Sequence, residues 1–300
     1  MKYLKIFFSL VSESFTEFMN DKGLKLSAAL SYYTIFSLAP MILVLISTLS
    51  IFMEKSTIQG EIFGQLQGLV GPAATDQLQE IIQNAQISNK SGVAAAIGIA
   101  TLLIGATGVF AEMQDSINYI WSIKSKPKAG WLQYIKNRLL SFSLILTLGF
   151  LLIVSLGANT LVELLGHQLE RYFSEASVVF FYIVNIAMVL TVITLLFTVI
   201  FKVLPDGILR WKESLVGAGF TAVLFLLGKF IISFYLGKSN LGATYGASAS
   251  IIILLTWVYY SSIILYFGAE FTKAYAKLDG VAIAPKKHAV LVVREELDRS

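Results

Sequence analysis

The sequence predicts an all-α membrane protein, a polytopic transmembrane helix bundle of about six spans with its N- and C-termini in the cytoplasm. Hydrophobic residues make up 56% of the 300 residues and charged residues only 14%, whereas soluble proteins carry roughly 25% charged residues. Several apolar runs approach the roughly 20 residues that a helix needs to cross a bilayer. Lysine and arginine concentrate in alternate connections between these runs. Composition, run length and charge distribution therefore indicate the same fold class.

Six apolar segments are the predicted spans. Each is close to the length that crosses a hydrocarbon core of about 30 Å as a helix. Pro40 lies inside the first segment and predicts a kink there. Prolines are tolerated in membrane helices because neighbouring groups can satisfy the carbonyl group that a proline frees. The segments are 30–52, 93–111, 139–162, 178–204, 215–236 and 249–271.

The basic residues predict the orientation of the bundle. Six alternating spans place the N-terminus, residues 112–138, residues 205–214 and the chain after residue 272 on one side, and these segments hold most of the lysines and arginines. The positive-inside rule makes that side cytoplasmic. An odd number of spans would put basic loops on both sides. The opposite loops hold only Lys55, Lys90, Arg171 and Lys238.

The segments outside the spans complete the predicted organisation. Residues 1–280 form the membrane domain, and residues 281–300 form a short, charged and mobile cytoplasmic tail. Residues 3–19 have the pattern of an amphipathic helix at the cytoplasmic interface; the alternative is a lead-in helix packed on the bundle. The outer connection, residues 54–92, carries apolar residues at helical spacing. It is either a lid or partner surface or a pair of helices resting on the outer headgroups.

One basic residue lies well inside a predicted span. Lys229 is in the fifth span, where a charge costs about 2.5–3.5 kcal/mol, so its side chain should face protein or water and have a partner. Counting depth along the helices brings Ser155, Asn159 and Asn185 near its level. Two interpretations follow. The cluster is part of a polar substrate pathway or an anion site, or the Lys229 ammonium group extends outward past Tyr235.

Three acidic residues are candidates for an ion or proton site. Glu112 and Glu270 lie near the cytoplasmic ends of the second and sixth spans, and Asp115 lies about one turn beyond Glu112. A carboxylate at either span end could bind a proton or a coupling cation. The structural alternative is pairing with basic residues at the inner interface, which are Lys273, Arg138 and Lys202.

The sequence predicts no catalytic, metal or cofactor site. The chain has no cysteine, which excludes disulfides and thiolate metal sites. Its two histidines, His167 and His288, fall on opposite sides of the membrane in the predicted topology, so no metal cluster or triad can use both. Neither a P-loop nor a dinucleotide-binding fingerprint is present. We therefore expect a protein that is not an enzyme and that has no nucleic-acid partner.

Several ordered motifs indicate a family. They are DKGLKLSAALSYYTIFSLAP at 21–40, the exit of the second span with Asn118 and Trp121, LPD at 204–206 followed by RWKESLVGAG, and YGASASIIILLTWVYYSSIILYFGAEFTKAY at 245–275. Over roughly residues 1–280 the chain resembles the YihY/virulence factor BrkB family. The resemblance implies a bacterial inner-membrane protein with about six spans. Tyr32, Tyr33, Pro40 and Trp257 match the family pattern, and on that resemblance they join Lys229 as candidates for a substrate pathway.

The leading functional hypothesis is a transporter or flippase-like protein that moves a small solute or a lipid through the inner membrane. Its main rival is a non-transporting scaffold for envelope proteins or lipids. A tRNA-processing ribonuclease is third, because family members have carried the label ribonuclease BN. We interpret that label as a misassignment, since this chain lacks a ribonuclease-like metal constellation and most of it lies in lipid. The expected partners are the lipid bilayer and a lipid or small solute.

Overall fold

A computed structural model describes the first predicted span, the last three and much of the chain between them. The protein is mostly helical, which agrees with the predicted fold class. The third predicted span, most of the second and the end of the tail lie outside the described residues. The described residues are 2–51, 54–70, 75–76, 78–80, 82–83, 105, 108–126, 176–238 and 249–293.

The first helix, α1, runs over Lys2–Asn20 and is amphipathic. Leu10 and Phe18 on one face are buried, and the helix packs along α7, the last helix of the chain (Ala249–Leu278). The opposite face exposes large apolar side chains, as expected for a helix that lies at a membrane interface. These are Leu4, Phe8, Phe15 and Met19.

A bent helix and a shorter helix follow. α2 extends over Gly23–Leu49 and bends by 49° between Gly23–Leu38 and Met41–Ser47. Pro40 lies at this bend, where the sequence predicts a kink, because proline removes one backbone hydrogen bond from a helix. α3 covers Lys55–Val70 in the predicted outer connection. Short helical stretches at 75–76, 78–80 and 82–83 follow it.

Four helices form the rest of the bundle. Among the described residues, three helices are long and apolar enough to cross a membrane. α2 makes a fourth span if its two parts cross the membrane together. These four spans correspond to the predicted first, fourth, fifth and sixth spans. α2, α7 and the helix over Trp211–Lys238, which we call α6, extend several residues beyond the predicted spans, since their helical hydrogen bonds continue past the apolar segment. The helices are α4 (108–120), α5 (Ala176–Val203), α6 (Trp211–Lys238) and α7.

Two small antiparallel sheets lie together at one end of the bundle, which we call the sheet end. β1 (Ile123–Ser125) pairs with β4 (Ala289–Leu291), and β2 (Gly207–Ile208) pairs with β3 (Ala284–Pro285). The strands come from three segments that the predicted alternation puts on one side of the membrane. Contact among these segments supports that alternation.

The chain after residue 280 is part of these sheets. The Val292 amide donates to the carbonyl oxygen of Ser122 at 2.8 Å, and the Lys126 amide donates to that of His288 at 2.8 Å. No periodicity in the sequence indicates these strands, and the segment was predicted as part of a mobile tail. Residues 281–293 of the predicted tail are thus joined to two other connections by backbone hydrogen bonds, whereas residues 294–300 lie outside the described part of the chain.

α6 and α7 approach closely through two glycine–threonine contacts. A Cβ atom at Gly217 would overlap Thr272 of α7, and a Cβ atom at Gly268 would overlap Thr221 of α6. Thr221 and Thr272 each donate a 2.7 Å hydrogen bond to the glycine carbonyl one turn earlier in their own helix. In lipid no hydrophobic effect drives helices together, so the close van der Waals packing that small residues permit stabilises the helix interface instead.

Candidate functional site

A buried carboxylate connects the segments of the sheet end. Asp206 lies in the short loop between α5 and β2 and is 2% exposed. Its Oδ1 accepts a hydrogen bond from Gln114 at 3.1 Å and lies 2.9 Å from Nε2 of His288. Its Oδ2 accepts hydrogen bonds from Asn118 at 3.0 Å and Ser125 at 2.5 Å. We call these five residues the Asp206 cluster.

The local structure explains why these side chains meet. Gln114 and Asn118 lie one turn apart on α4 and therefore share a face. Asn118 also accepts a 2.7 Å hydrogen bond from the backbone amide of Asp206. The Asn118 side chain is therefore bonded to both the carboxylate and the backbone of Asp206. The sheet β1–β4 brings Ser125 and His288 together. The Lys286 amide donates to the Asp206 carbonyl oxygen at 2.8 Å.

The cluster holds Asp206 in its charged form. Burial by itself would raise the pKa of Asp206, but the hydrogen bonds from Ser125, His288 and Asn118 and the charge of His288 outweigh burial and lower it. An ionised carboxylate only accepts hydrogen bonds, so Nε2 of His288 must carry a proton. The side chain of Asp115 is exposed, but neighbouring protein atoms displace part of its water, and this loss together with the nearby Asp206 charge raises its pKa.

The Asp206 carboxylate has no acceptor capacity left for a ligand. A carboxylate offers about four lone-pair sites, and four side chains occupy them. Among the residues that the structure describes, no group of three or more His, Cys, Asp or Glu side chains could hold a metal ion. The contacts of Asp206 therefore connect α4, β1 and the segment before β4 to the loop between α5 and β2.

An apolar cavity of about 290 Å³ lies among five helices. α4 contributes to both features, because Val109 and Met113 face the cavity and the next turns of the same helix hold Asp206. The other walls come from α2, α5, α6 and α7. They include Leu30, Met41, Leu196, Phe225, Trp257 and Leu265.

Three of the described residues that line this cavity carry hydroxyl groups, and each of these groups already donates a hydrogen bond. Thr34, Ser261 and Ser262 line it together with apolar residues. Each donates to the carbonyl oxygen one turn earlier in its own helix, at 2.7, 2.9 and 2.8 Å respectively. The described part of the wall thus presents mainly hydrocarbon, together with the Trp257 indole and bonded hydroxyl groups, an environment that favours an apolar ligand over a hydrated one.

The predicted pathway residues that the structure describes differ in their position relative to this cavity. Trp257 lines it. Tyr32 and Tyr33 are exposed on α2, with their ring centroids 6.1 Å apart. Pro40 marks the bend in the same helix. Lys229 is half-buried on α6 and is not among the residues of the cavity wall.

The side chains of the remaining pathway candidates lie outside the part of the chain that the structure describes. The backbone of Asn185 belongs to α5, but its side chain lies outside the described residues, as do Asn159 and Ser155 entirely. The predicted polar cluster around Lys229 therefore remains a prediction.

The three predicted acidic residues have different partners. Glu270 of α7 is buried, and its Oε2 lies 3.4 Å from Nζ of Lys273. The same ammonium group lies 3.6 Å from Glu17 and 3.7 Å from Asp21. Lys273 thus connects α7 to the α1–α2 turn, and it is one of the bases that the structural alternative named.

Glu112 and Asp115 lie on α4. Ser116 donates a 3.4 Å hydrogen bond to Glu112, and Asp115 is exposed. Sequence reasoning did not identify the Asp206 cluster as a unit, although it singled out Asn118 and the LPD motif. It assigned His288 to the tail, and no local signal links that residue to Asp206.

Comparison with known proteins gives the family. A profile described as virulence factor BrkB matches residues 14–290, a span that includes His288. A UPF0761 membrane protein of Pseudoalteromonas atlantica is 32% identical over 254 residues, 83% of this chain and 80% of the relative. One of Vibrio vulnificus is 31% identical over 85% of this chain and 79% of the relative.

A more distant relative carries a different name. The ribonuclease-like protein YfkH of Bacillus subtilis is 25% identical over 87% of this chain and 93% of its own length. No solved structure matches the chain. The family profile covers most of the sequence and agrees with the motifs at 21–40, 204–206 and 245–275. The chain is a membrane protein that belongs to the virulence factor BrkB family.

Proposed function

We propose that this protein is a six-span inner-membrane protein that binds the acyl chain of a lipid between its helices and moves lipid between the leaflets in a flippase-like manner. The apolar cavity carries this proposal. A small hydrated solute would lose most of its hydrogen bonds to water there, because the described walls are largely hydrocarbon and the three hydroxyl groups already donate to their own helices. A hydrocarbon chain has no such cost.

The size of the cavity fits part of a lipid. Its volume of about 290 Å³ is near the lower limit of roughly 300–1,000 Å³ for small-molecule sites. A cavity of this size accommodates a segment of one acyl chain rather than a whole phospholipid. The headgroup then stays outside the apolar walls, at a leaflet surface or in a polar path that includes Lys229.

Vesicles containing the purified protein provide the test. Phospholipid with a fluorescent headgroup label is reconstituted with the protein, and dithionite added outside bleaches only labels that reach the outer leaflet. We expect the wild type to bleach well beyond the half that protein-free vesicles lose. Ser261→Phe fills the cavity and should slow this movement at least about tenfold, which corresponds to about 1.4 kcal/mol.

The matched control is Leu255→Phe, which adds bulk to an exposed position of the same helix. It should move lipid at the wild-type rate. Both variants must keep the wild-type melting temperature in detergent. Folded wild-type protein that leaves the bleached fraction at the protein-free level would refute lipid movement.

A non-transporting scaffold is the second candidate, and the Asp206 cluster favours it. Four side chains and two backbone bonds hold the loop between α5 and β2 to its neighbours, an arrangement suited to a rigid platform. A scaffold predicts that Lys229→Met leaves the phenotype intact, while changes in residues 54–92 abolish it. The reverse result would exclude the scaffold.

A further inference from the structure

The outer connection contains a groove that is unlike the apolar cavity. A pocket of about 450 Å³ lies between α3 and the short helical stretches at 75–76, 78–80 and 82–83. Four of its lining side chains are glutamines, and the lining also contains one carboxylate and one aromatic ring. These residues are Gln59, Gln67, Gln79, Gln83, Asp76 and Phe63. We call this pocket the glutamine groove.

The apolar faces of the two helical segments explain why their glutamines meet. Ile58 and Ile62 of α3 are buried together with Leu78 and Ile82, and all four join a cluster with α2 residues such as Ile46. Burial of these positions fixes how each helix is rotated about its axis. The neighbouring polar positions of both helices must then face each other across the groove.

Helical spacing places the groove residues in two facing rows. Gln59, Phe63 and Gln67 are separated by four residues each, and Gln79 and Gln83 by four, so each set forms one row along its helix. Two glycines of α3, Gly60 and Gly64, also line the groove. A Cβ atom at either glycine would meet nothing within 4 Å, so both positions open into free space.

The chemistry of the lining selects the class of ligand. An amide side chain both donates and accepts hydrogen bonds and carries no charge. Among the lining residues that the structure describes, none is a lysine or arginine that would attract an anion, and Asp76 is the single acid. Four amides, one carboxylate and one ring match a neutral molecule that carries adjacent hydroxyl groups on a ring with an apolar face. We propose that the glutamine groove binds a neutral saccharide.

The volume agrees with this ligand class. About 450 Å³ lies within the roughly 300–1,000 Å³ of small-molecule sites and suits one or two sugar rings. In the proposed topology, the groove faces the outer side of the inner membrane, where both free saccharides and glycolipid headgroups occur. The site is separate from the apolar cavity, and neither it nor its test depends on lipid movement.

Binding is measured on the full-length protein by two arms. In the first, the protein in detergent is titrated by calorimetry with maltose, lactose and N-acetylglucosamine. In the second, it is placed in nanodiscs with or without monoglucosyl diacylglycerol, and the shift in its melting temperature is recorded. We expect saturable binding in at least one arm. Binding in the first arm identifies a free saccharide as sufficient, and binding only in the second identifies a glycolipid headgroup.

Variants assign the binding to the groove. Gly64→Leu fills the groove without a steric clash, and the double variant Gln59→Ala, Gln79→Ala removes amides from both rows. Each should weaken binding at least about tenfold. Glu61→Ala, at an exposed residue of the same helix outside the lining, should leave binding unchanged. Each variant must keep the wild-type melting temperature, so that a loss of binding is not caused by unfolding.

Two results overturn the proposal. One is folded wild-type protein that binds none of the three sugars and is not stabilised by the glycolipid. The other is sugar binding that survives both Gly64→Leu and the double glutamine variant.

Discussion

At the scale of single residues, Asp206 is the side chain that connects four other side chains of the sheet end. Its truncation to alanine leaves Gln114, Asn118, Ser125 and His288 without their shared acceptor. A buried polar group that loses its partner costs about 1–3 kcal/mol, which for the buried Gln114 and Asn118 together is about 2–6 kcal/mol. We therefore expect Asp206→Ala to lower the free energy of unfolding by that amount, measured by denaturant titration in detergent micelles.

Asp279→Ala is the matched control for this prediction. Asp279 accepts a hydrogen bond from Lys212 at 2.9 Å at the same end of the molecule, but the pair is exposed, and such pairs contribute little. Its removal should barely change the unfolding midpoint. Equal losses for the two variants would show that the Asp206 cluster contributes no more than a surface ion pair.

The lowered pKa of Asp206 has a consequence for acid stability. An unfolded aspartate has a pKa of about 3.9, and the folded value is lower. The contribution to stability is therefore complete above about pH 4 and is lost as the pH falls through the folded pKa. Asp115, whose pKa is raised, works in the opposite direction and offsets part of this loss.

We expect the wild type to lose more stability than Asp206→Asn between about pH 5 and about pH 2.5, because the asparagine cannot be protonated in this range. The measurement is the shift in unfolding midpoint of each protein over that range. An equal shift would assign the acid sensitivity to other carboxylates.

Sequence reasoning reached only part of this cluster. Asn118 and the LPD motif stood out because they match a family pattern. His288 did not, because 82 residues separate it from Asp206 and a local pattern carries no information about such a contact. Helical periodicity predicts which residues share a face, but it cannot predict which loop pairs with that face.

At the scale of secondary-structure elements, the α6–α7 contact depends on the absence of two side chains. Gly217→Ala and Gly268→Ala would each drive a methyl group into a threonine of the facing helix. We expect both to destabilise the protein by about 1–3 kcal/mol, the usual cost of overpacking. Thermal unfolding in detergent gives the measurement.

Gly219→Ala provides the control on the same helix. Nothing lies within 4 Å of its Cβ position, and alanine favours a helix over glycine by about 1 kcal/mol. This substitution should therefore leave stability unchanged or raise it. If all three glycine variants lose equal stability, helix packing is not the cause.

The elements differ in how well the sequence predicts them. Long apolar runs predicted α5, α6 and α7, since span length and hydropathy are properties of one segment. The strands have two or three residues each, which is too short for a period of two to be recognised. Their formation depends on partners from other loops, so only the folded chain reveals them.

At the scale of the whole molecule, residues 281–293 after the last helix are part of the folded structure. Truncation after Gly280 would remove β3, β4 and His288, leaving β1 and β2 without their partners. We expect this truncated protein to melt at a clearly lower temperature. Truncation after Val293 retains every described hydrogen bond of the sheets and should melt like the wild type. Identical melting of both truncated proteins would mean that the sheets add no stability.

The orientation of the whole bundle can be tested because the chain contains no cysteine. Each introduced cysteine is then the only thiol in the protein. α3 packs beside the first turns of α7, where Leu254 joins the same cluster, whereas the two sheets lie near the opposite end of α7. Six spans with cytoplasmic termini put the sheets inside and α3 outside.

We expect Glu61→Cys on α3 to react with a membrane-impermeant maleimide in intact spheroplasts. Lys287→Cys, between β3 and β4, and Lys25→Cys, at the start of α2, should react only after the membrane is permeabilised. All three native residues are exposed, so the membrane rather than burial controls their labelling. Labelling of Lys287→Cys in intact spheroplasts would reverse the orientation that the basic loops predict. Different behaviour of Lys25→Cys and Lys287→Cys would contradict an even number of spans, because alternation then requires both to lie on one side.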